Sequence, residues 1–458
     1  MPELERVLVA NRGEIAVRII RACFDEGIET VLAVSEADRD SLGAQLADRV
    51  VCIGPGPAGE SYLDVNRVVA AAKLTDCDGL HPGYGFLSEQ PELSAECAEA
   101  GIAFVGPSVD AMRRSGDKAS ARRSARELGI AIGDGSDVIG TLEDARAAAE
   151  EMGFPILFKA AGGGGGRGMR LAERAEDLPS AFSAASSEAQ QAFGDGRVFI
   201  ERFIRRARHV EVQVLADEHG GVIHLGHRDC TLQRRYQKLI EEAPAPGLPD
   251  ALEREILGAA TALIGSLAYH GAATCEFLVD KERGTYAFLE INSRLQVEHP
   301  VSELVTGVDV VREQLRIAGG APLSVSQDDV RESGHAIEAR VNAESPERGF
   351  MPTPGRVTRW AVPVGSDVRV DTACFPGWTI PPHYDSLLAK VIARGDDRHA
   401  AIARLRQALA HLRVEGVETT AGFARDVLAH PDVESGEVHT RWLEDVFLPS
   451  WSQTEVAA

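Results

Sequence analysis

Five consecutive glycines, Gly162 to Gly166, stand between two short apolar runs, and no packed regular element accommodates them. Each glycine in such an element costs about 0.5–1 kcal/mol of backbone entropy relative to alanine. A run of them is retained where something must approach the main chain closely. Phe154-Pro155-Ile156-Leu157-Phe158-Lys159 precedes the glycines and Arg167-Gly168-Met169-Arg170-Leu171 follows, so the segment reads strand, loop, strand. Amide N–H groups in a loop of this kind form a concave nest for anions, and the Lys159 ammonium supplies opposite charge beside it. That makes it a phosphate cradle; the competing reading is a flexible hairpin tip or linker. No Gly-Lys-Ser/Thr tripeptide follows, so this is not a P-loop opening a helix but a hairpin lid.

A chain of 458 residues suggests about three domains at roughly 150 residues each. The net charge of -22 and pI near 5.1 oppose binding to nucleic acid or an anionic membrane, so any anionic substrate needs a locally positive site. No run approaches the ~18 apolar residues of a membrane span, and Met1-Pro2-Glu3-Leu4-Glu5-Arg6 has no signal-peptide character, so a cytoplasmic protein is expected. The seven cysteines form no Cys-x-x-Cys pair, which fits reduced thiols rather than a disulfide framework or zinc site. Lysine occurs only at 73, 118, 159, 238, 281 and 390 in a chain otherwise written in arginine, which points to places needing a compact ammonium.

The N-terminal pattern is α/β. Val7 to Ala10 reads as a buried strand, Glu14 to Phe24 as an amphipathic helix and Thr30 to Val34 as the next strand, opening a parallel doubly wound unit that runs to about Asp110. Glu36 and Asp38 sit where dinucleotide folds carry a ribose-reading acid. The first turn offers Gly13 alone, however, where Gly-x-Gly-x-x-Gly is required, so a nicotinamide site is not expected. Lys118 opens a basic helix to about Gly129, Val198 to Leu215 reads as extended, and Gly334 onward forms another α/β unit with a helix at Ala400 to Leu412. The tail from Gln453 is expected to be disordered.

Residues 285 to 299 run Thr-Tyr-Ala-Phe-Leu-Glu-Ile-Asn-Ser-Arg-Leu-Gln-Val-Glu-His, and strand alternation places Glu290, Asn292, Arg294, Gln296 and Glu298 on one face. The preceding strand, Ala273 to Val279, is joined to it by Lys281-Glu282-Arg283-Gly284. A three-residue hairpin loop with Gly284 left-handed pairs Lys281 with Thr285 and, counting back, Glu276 with Glu290. Facing carboxylates are destabilising unless a cation sits between them. Hard oxygens from Glu276, Glu290 and Asn292 suit Mg²⁺ or Mn²⁺ in a metal-nucleotide complex. On the same face Arg294 and Glu298 are placed as charge clamp and general base. The cation-rich Arg228 to Lys238 run, in an acidic chain, argues for anion binding against the plainer reading of a surface loop.

Taken together, Val9 to Ala16, His81 to Glu89, Lys159 with its glycines, Arg228 to Lys238, Glu290 to His299, Gly334 to Glu344 and Pro381 to Ser386 closely resemble the biotin carboxylase family of ATP-grasp enzymes, over nearly all of residues 5 to 448. The resemblance implies an N-terminal Rossmann-like domain (1–116), a central ATP-grasp domain (117–333) with a mobile lid at about 132–205, a C-terminal biotin carboxylase domain (334–448) and a tail (449–458). It implies ATP-dependent carboxylation of biotin by bicarbonate through carboxyphosphate.

Carried over by position, Lys118, Lys159, His209, Gly165 and Gly166 hold ATP phosphates, with Glu201, Arg202, Phe203, Ile204, Gln233, Tyr236 and Leu278 around adenine and ribose. Glu276, Glu290 and Asn292 bind Mg²⁺ or Mn²⁺. Lys238, Arg294, Val297 and Arg340 position bicarbonate, Glu298 acts as base, and Tyr84 and Arg340 meet biotin. Three departures from the family pattern, Arg202 for lysine, Tyr236 for histidine and Ile291 for methionine, bear on nucleotide contacts rather than on the reaction. No lysine here neighbours a methionine as a biotinylated lysine does. A free-standing, homodimeric subunit of acetyl-CoA carboxylase is therefore expected, working on a separate carrier protein alongside carboxyltransferase subunits. Propionyl-CoA, another acyl-CoA or pyruvate is the alternative acceptor. Another ATP-grasp ligase and an inactive nucleotide-binding regulator are disfavoured by Glu298 and Arg340.

Overall fold

The computed structural model of the protein describes residues 4–133, 135–161 and 169–455. Gly165 and Gly166, and the rest of the glycine nest, lie outside the described residues. The chain opens as read: strand β1 (Arg6–Val9), a helix Gly13–Glu26 that buries Ile15, Ala16, Ile19, Ile20 and Cys23, then β2 (Glu29–Ser35). Gly27 ends the helix at φ 73°, and the Ile28 N–H reaches back to the Cys23 carbonyl, a left-handed cap that glycine adopts without strain. With β3 (Arg49–Gly54), β4 (Gly79–His81) and β5 (Ala103–Phe104) these strands make a parallel sheet in the order β3-β2-β1-β4-β5.

Strand order reverses between β1 and β4, and in such sheets the crevice beyond the strands' carboxyl ends is where ligands sit. Here Asn11 lines it and ties the loop after β4 to β1 by donating to the Pro82 and Tyr84 carbonyls at 2.6 and 2.8 Å. Asp38, at the ribose-acid position, is consumed by Arg12 at 2.9 Å and by the Tyr62 hydroxyl at 2.9 Å, in keeping with the absence of a dinucleotide fingerprint.

A small sheet, β7-β6-β8, follows, built from β6 (Ile156–Ala160), β7 (Arg170–Ala172) and β8 (Val198–Arg202). The extended stretch expected over Val198 to Leu215 is in fact two strands in different sheets, broken after Arg202. β9 (Ala207–Ala216) starts the large antiparallel sheet with β10 (Val222–Arg234), β11 (Gln237–Ala243), β12 (Gly271–Asp280) and β13 (Thr285–Asn292). Beyond β14 (His335–Asn342) come three short strands, β15 (Glu344–Ser345), β16 (Met351–Pro352) and β17 (Arg359–Ala361), then β18 (Val368–Thr372) and β19 (Leu387–Gly395).

Among the described residues the large sheet has eight strands in the order β13-β12-β9-β10-β11-β14-β19-β18. The sequence places a domain boundary near 333/334, yet β14 pairs with β11 through Ile240 to Ala339 and Ala243 to Ala336, so one hydrogen-bonded ladder crosses it. The C-terminal segment differs from expectation in part, since the helix Leu448–Glu455 takes in the first three residues of the tail expected to be disordered from Gln453, and the rest of that tail lies outside the described residues. All seven cysteines are free thiols, and among the described residues no helix is long and apolar enough to cross a membrane.

Candidate functional site

Strand β9 is buried along its whole length. Val210, Val212 and Val214 face the core, so alternation turns His209, Glu211 and Gln213 to the other side of the sheet. Neighbouring strands add Glu276 from β12, Lys238 from β11 and Arg340 from β14. The centre of this face is Lys238, whose Nζ lies 2.5 Å from Glu211 Oε2, 3.1 Å from Glu276 Oε1 and 2.6 Å from Glu298 Oε1. The second Glu298 oxygen accepts from Arg340 at 2.9 Å, and Arg340 Nε donates to Glu241 at 2.6 Å. Arg228, fully buried, holds the other Glu211 oxygen at 2.6 Å and also donates to Gln213, Ser302 and Thr274.

Burial disfavours every charge here, and the ion pairs override it at Glu298, Glu276, Lys238 and His209 but not at Glu241. Burial alone would raise Glu298, but Lys238, Arg340 and Arg228 hold it well below the ordinary carboxylate range. Glu276 is likewise depressed, by Lys238 and His209 against burial, and Lys238 is raised by its three carboxylates. His209 Nε2 stands 2.9 Å from Glu276 Oε2, and that carboxylate raises it although burial works against charge. Glu241 is pushed up to about 7 by burial, with Arg340 pulling the other way.

Glu276 does face Glu290 in the β12–β13 ladder, but by a different route from the one expected. Asp280, not Lys281, pairs with Thr285, and a bulge at Leu289 adds one residue to β13, so two offsets cancel. The facing acids are relieved on opposite sides. Glu276 is met by Lys238, His209 and the Asn292 amide at 2.9 Å, and Glu290 is met by Lys118 at 2.9 Å. The single polar face expected from Glu290 to Glu298 is also corrected: the strand ends at Asn292, and Arg294, Gln296 and Glu298 lie in the irregular turn that follows. After the turn Pro300 opens the helix His299–Thr306, with Glu298 as its N-cap residue. The turn still delivers them. Arg294 donates to Asn292 Oδ1 and Gln296 Oε1, each at 3.1 Å, and to Glu89 at 2.9 Å.

Other predicted residues gather in separate contacts. Lys159, on β6, is engaged by Glu201, whose other oxygen is taken by Arg122. Arg202 donates to the Met152 carbonyl, and the Phe203 N–H bonds the Pro155 carbonyl at 3.0 Å, with Ile204 next in the connection to β9. Leu278 is half-buried on β12, opposite His209, and Gln233 lies across from Lys238. Tyr236 sits at the tip of the β10–β11 hairpin, more than half exposed. It and Arg235 both have positive φ, 66° and 47°, as a two-residue hairpin loop demands, at some strain for non-glycine residues. The Tyr84 hydroxyl donates to Glu14, and the Val297 carbonyl accepts from Lys390. Tyr84 also lines a cavity of about 100 Å³ at the β1/β4 switch point, with Asn11, Arg12, Glu14, Phe86 and Asp385.

Sequence reasoning gave no site role to Glu211 or Glu241, and reached Arg228 only within the cation-rich run and Lys390 only among the six lysines. The signal for the first was the His209-Glu211-Gln213 alternation, which a solvent-facing strand would also produce. His209, Glu211 and Glu276 bring donor atoms within 4.8 Å of one another, as do Glu211, Cys230 and Glu298.

Comparison with known proteins gives this arrangement a context. Residues 3–112 match the family model "Biotin carboxylase, N-terminal domain", 117–326 match "Carbamoyl-phosphate synthase L chain, ATP binding domain", and 338–445 match "Biotin carboxylase C-terminal domain". Biotin carboxylase 1 of Bacillus subtilis is 48% identical over 442 residues, covering 96% of this chain and 98% of that protein. A biotin carboxylase-beta-gamma-ATP complex from Campylobacter jejuni superposes with a TM-score of 0.93 at 42% identity, covering 96% and 99% of the two chains. The biotin carboxylase domain dimer of Hydrogenobacter thermophilus 2-oxoglutarate carboxylase, in complex with MgADP, ADP and bicarbonate, gives 0.93 at 41% identity, covering 97% and 98%.

Proposed function

This chain belongs to the biotin carboxylase family, and from that membership we propose that it carboxylates biotin with bicarbonate and ATP, through carboxyphosphate, as the first half-reaction of acetyl-CoA carboxylase. The observation that carries the reading is the Lys238 centre: one ammonium among three buried carboxylates, flanked by Arg294 and Arg340. A small anion entering there meets three cations that already have partners to exchange.

Lys118, Lys159 and His209, with Gly165 and Gly166, receive the ATP phosphates, which compete with Glu290, Glu201 and Glu276 for these cations. Glu201 to Ile204, Gln233, Tyr236 and Leu278 surround the nucleoside. The opposed Glu276 and Glu290 with Asn292 form a hard oxygen set that fits Mg²⁺ or Mn²⁺, and these three residues would hold it. Bound there, a divalent ion neutralises phosphoryl charge.

Bicarbonate is held by Lys238, Arg294, Arg340 and the Val297 main chain. When Lys238 and Arg340 turn to the new anion, the two ion pairs that depress Glu298 loosen, and its affinity for a proton rises. The base is thus weak until its substrate arrives, and then takes the bicarbonate proton as that oxygen attacks the γ-phosphoryl group and the bridge to ADP breaks, which leaves carboxyphosphate. Carboxyphosphate then breaks down to CO₂ and phosphate, the phosphate takes the ureido N–H proton and the nitrogen bonds to CO₂, while Arg340 stabilises charge on the ureido oxygen, with Tyr84 on the biotin side. Biotin comes on a separate carrier protein, carboxyltransferase subunits use the product, and the chain works as a cytoplasmic homodimer. The similarity to a 2-oxoglutarate carboxylase domain favours one second reading, a 2-oxoacid rather than an acyl-CoA as final acceptor. Native co-purification of the carboxyltransferase separates the two.

The direct test is ADP release from Mg-ATP and bicarbonate, which free biotin must stimulate; no stimulation sinks the assignment. Arg340→Ser is expected to impair biotin carboxylation far more than ATP binding, and equal losses would remove its role. Glu276→Gln is expected to raise the Mg²⁺ concentration for half-maximal rate by about tenfold or more. An unchanged Mg²⁺ titration would take Glu276 out of the metal set.

A further inference from the structure

Lys390, on β19, is fully buried, and the chemistry above leaves it without a task. A buried ammonium is costly to desolvate, and an aliphatic side chain would pack on β19 at no such cost, so what its Nζ holds must matter. Nζ donates to the Val297 carbonyl at 2.8 Å, stands 3.2 Å from Glu14 Oε2 and 3.7 Å from Asp371 Oδ2. Asp371 is already paired with Arg369 through both oxygens, at 2.8 and 2.7 Å. Glu14 is the closer acid, it is buried, and its other oxygen accepts from Tyr84.

These contacts form one unbroken run: the Tyr84 hydroxyl, both oxygens of Glu14, Lys390 Nζ and the Val297 carbonyl. One end lines the switch-point cavity. The other is the turn between Gln296 and Glu298, and Glu298 is where Lys238 and Arg340 converge. The run joins four parts of the chain far apart in sequence: the first helix, the loop after β4, β19 and the loop after β13.

We propose that Lys390 is a positioning residue of the carboxylation site, fixing the turn that presents Glu298 through the Val297 carbonyl and tying that turn, by way of Glu14 and Tyr84, to the occupant of the cavity. The proposal rests on the biotin carboxylase reading above. An occupant that draws the Tyr84 hydroxyl away from Glu14 leaves Glu14 wholly to Lys390, and that change is felt at Val297. Free biotin is the probe for such an occupant.

In the double variant Glu14→Gln/Lys390→Met the closest pair is removed together, Asp371 keeps Arg369, the buried Glu338 that Lys390 also faces is already pushed by burial towards its neutral form, and the new amide oxygen on the first helix still accepts from Tyr84. Its bicarbonate KM is expected to rise about tenfold while its ATP KM stays within about twofold. The ratio of ADP release with and without free biotin should fall towards one. Lys390→Arg, which keeps charge and donor, should recover most of the bicarbonate KM. A folded double variant with wild-type bicarbonate KM and biotin ratio overturns the proposal, as does an equal rise in both KM values. If circular dichroism shows the double variant unfolded, Glu14→Gln alone decides, because an unchanged biotin ratio there breaks the link. The wild type run alongside keeps the two claims apart: no biotin stimulation in it defeats the assigned reaction itself, whereas a normal wild-type response with unaltered variants defeats only the role of Lys390.

Discussion

Glu298→Gln is expected to reduce biotin carboxylation by about 10²–10⁴-fold, the usual worth of a positioned general base, while leaving ATP affinity within about twofold. The surroundings make this a clean substitution. Lys238 keeps Glu211 and Glu276, and Arg340 keeps Glu241, so neither cation is stranded in the buried site when Glu298 loses its charge. The amide still accepts one hydrogen bond in the same place. Single-turnover carboxylation with saturating ATP and bicarbonate, beside a nucleotide-binding titration, measures the two quantities separately. A loss smaller than tenfold, or a parallel collapse of ATP affinity, would remove Glu298 from the base role.

Lys238→Met should do the opposite kind of damage. Three carboxylates, Glu211, Glu276 and Glu298, lose their common cation while remaining buried, and breaking a buried ion network in this way costs about 3–5 kcal/mol. The pH dependence should shift as well. In the wild type Glu276 and Glu298 are depressed below their unfolded values, so their stabilisation is present above those values and is lost only as pH falls towards the folded ones. Without Lys238, burial is opposed at Glu298 by Arg340 and Arg228 alone and at Glu276 by His209, so both groups move upward. A group raised on folding favours the native state at low pH and loses that advantage as pH rises through its folded value. Urea melts at pH 7 and pH 5 should therefore show the variant gaining stability on mild acidification relative to wild type. A variant as stable as wild type at pH 7, or with the same pH slope, would contradict this account of the centre.

Much of the site was legible because its chemistry is written in short local patterns. Lysine kept in an arginine-rich chain marked Lys118, Lys159 and Lys238, and each is found against a carboxylate. Facing acids were read from turn length, and Glu276 does lie opposite Glu290, though a shorter register and the Leu289 bulge cancelled one another. Bulges leave no dependable mark in one sequence, since Leu289 is as ordinary a strand residue as its neighbours. Extending the strand past Asn292 failed because alternation alone does not say where pairing stops; Pro300 marks the helix that begins at His299 but lies well beyond the strand's end. Glu211 and Glu241, and the partners of Lys390, were missed for another reason. Each stands in a strand whose polar residues could equally face solvent, and only the neighbours brought by β11, β14 and the first helix show that it faces a site.

The ladder between β11 and β14 has a consequence for anyone wishing to recombine this protein with its relatives. A crossover placed near 333, where sequence suggests a natural joint, separates Arg340 from Glu241 and Glu298, and leaves Gln237–Ala243 to be zipped to a foreign strand. Chimaeras that exchange everything from β9 to β19 as one block keep both the pairing and the charge pattern. Those that swap the last third alone inherit an unmatched edge, ready to stick to another chain.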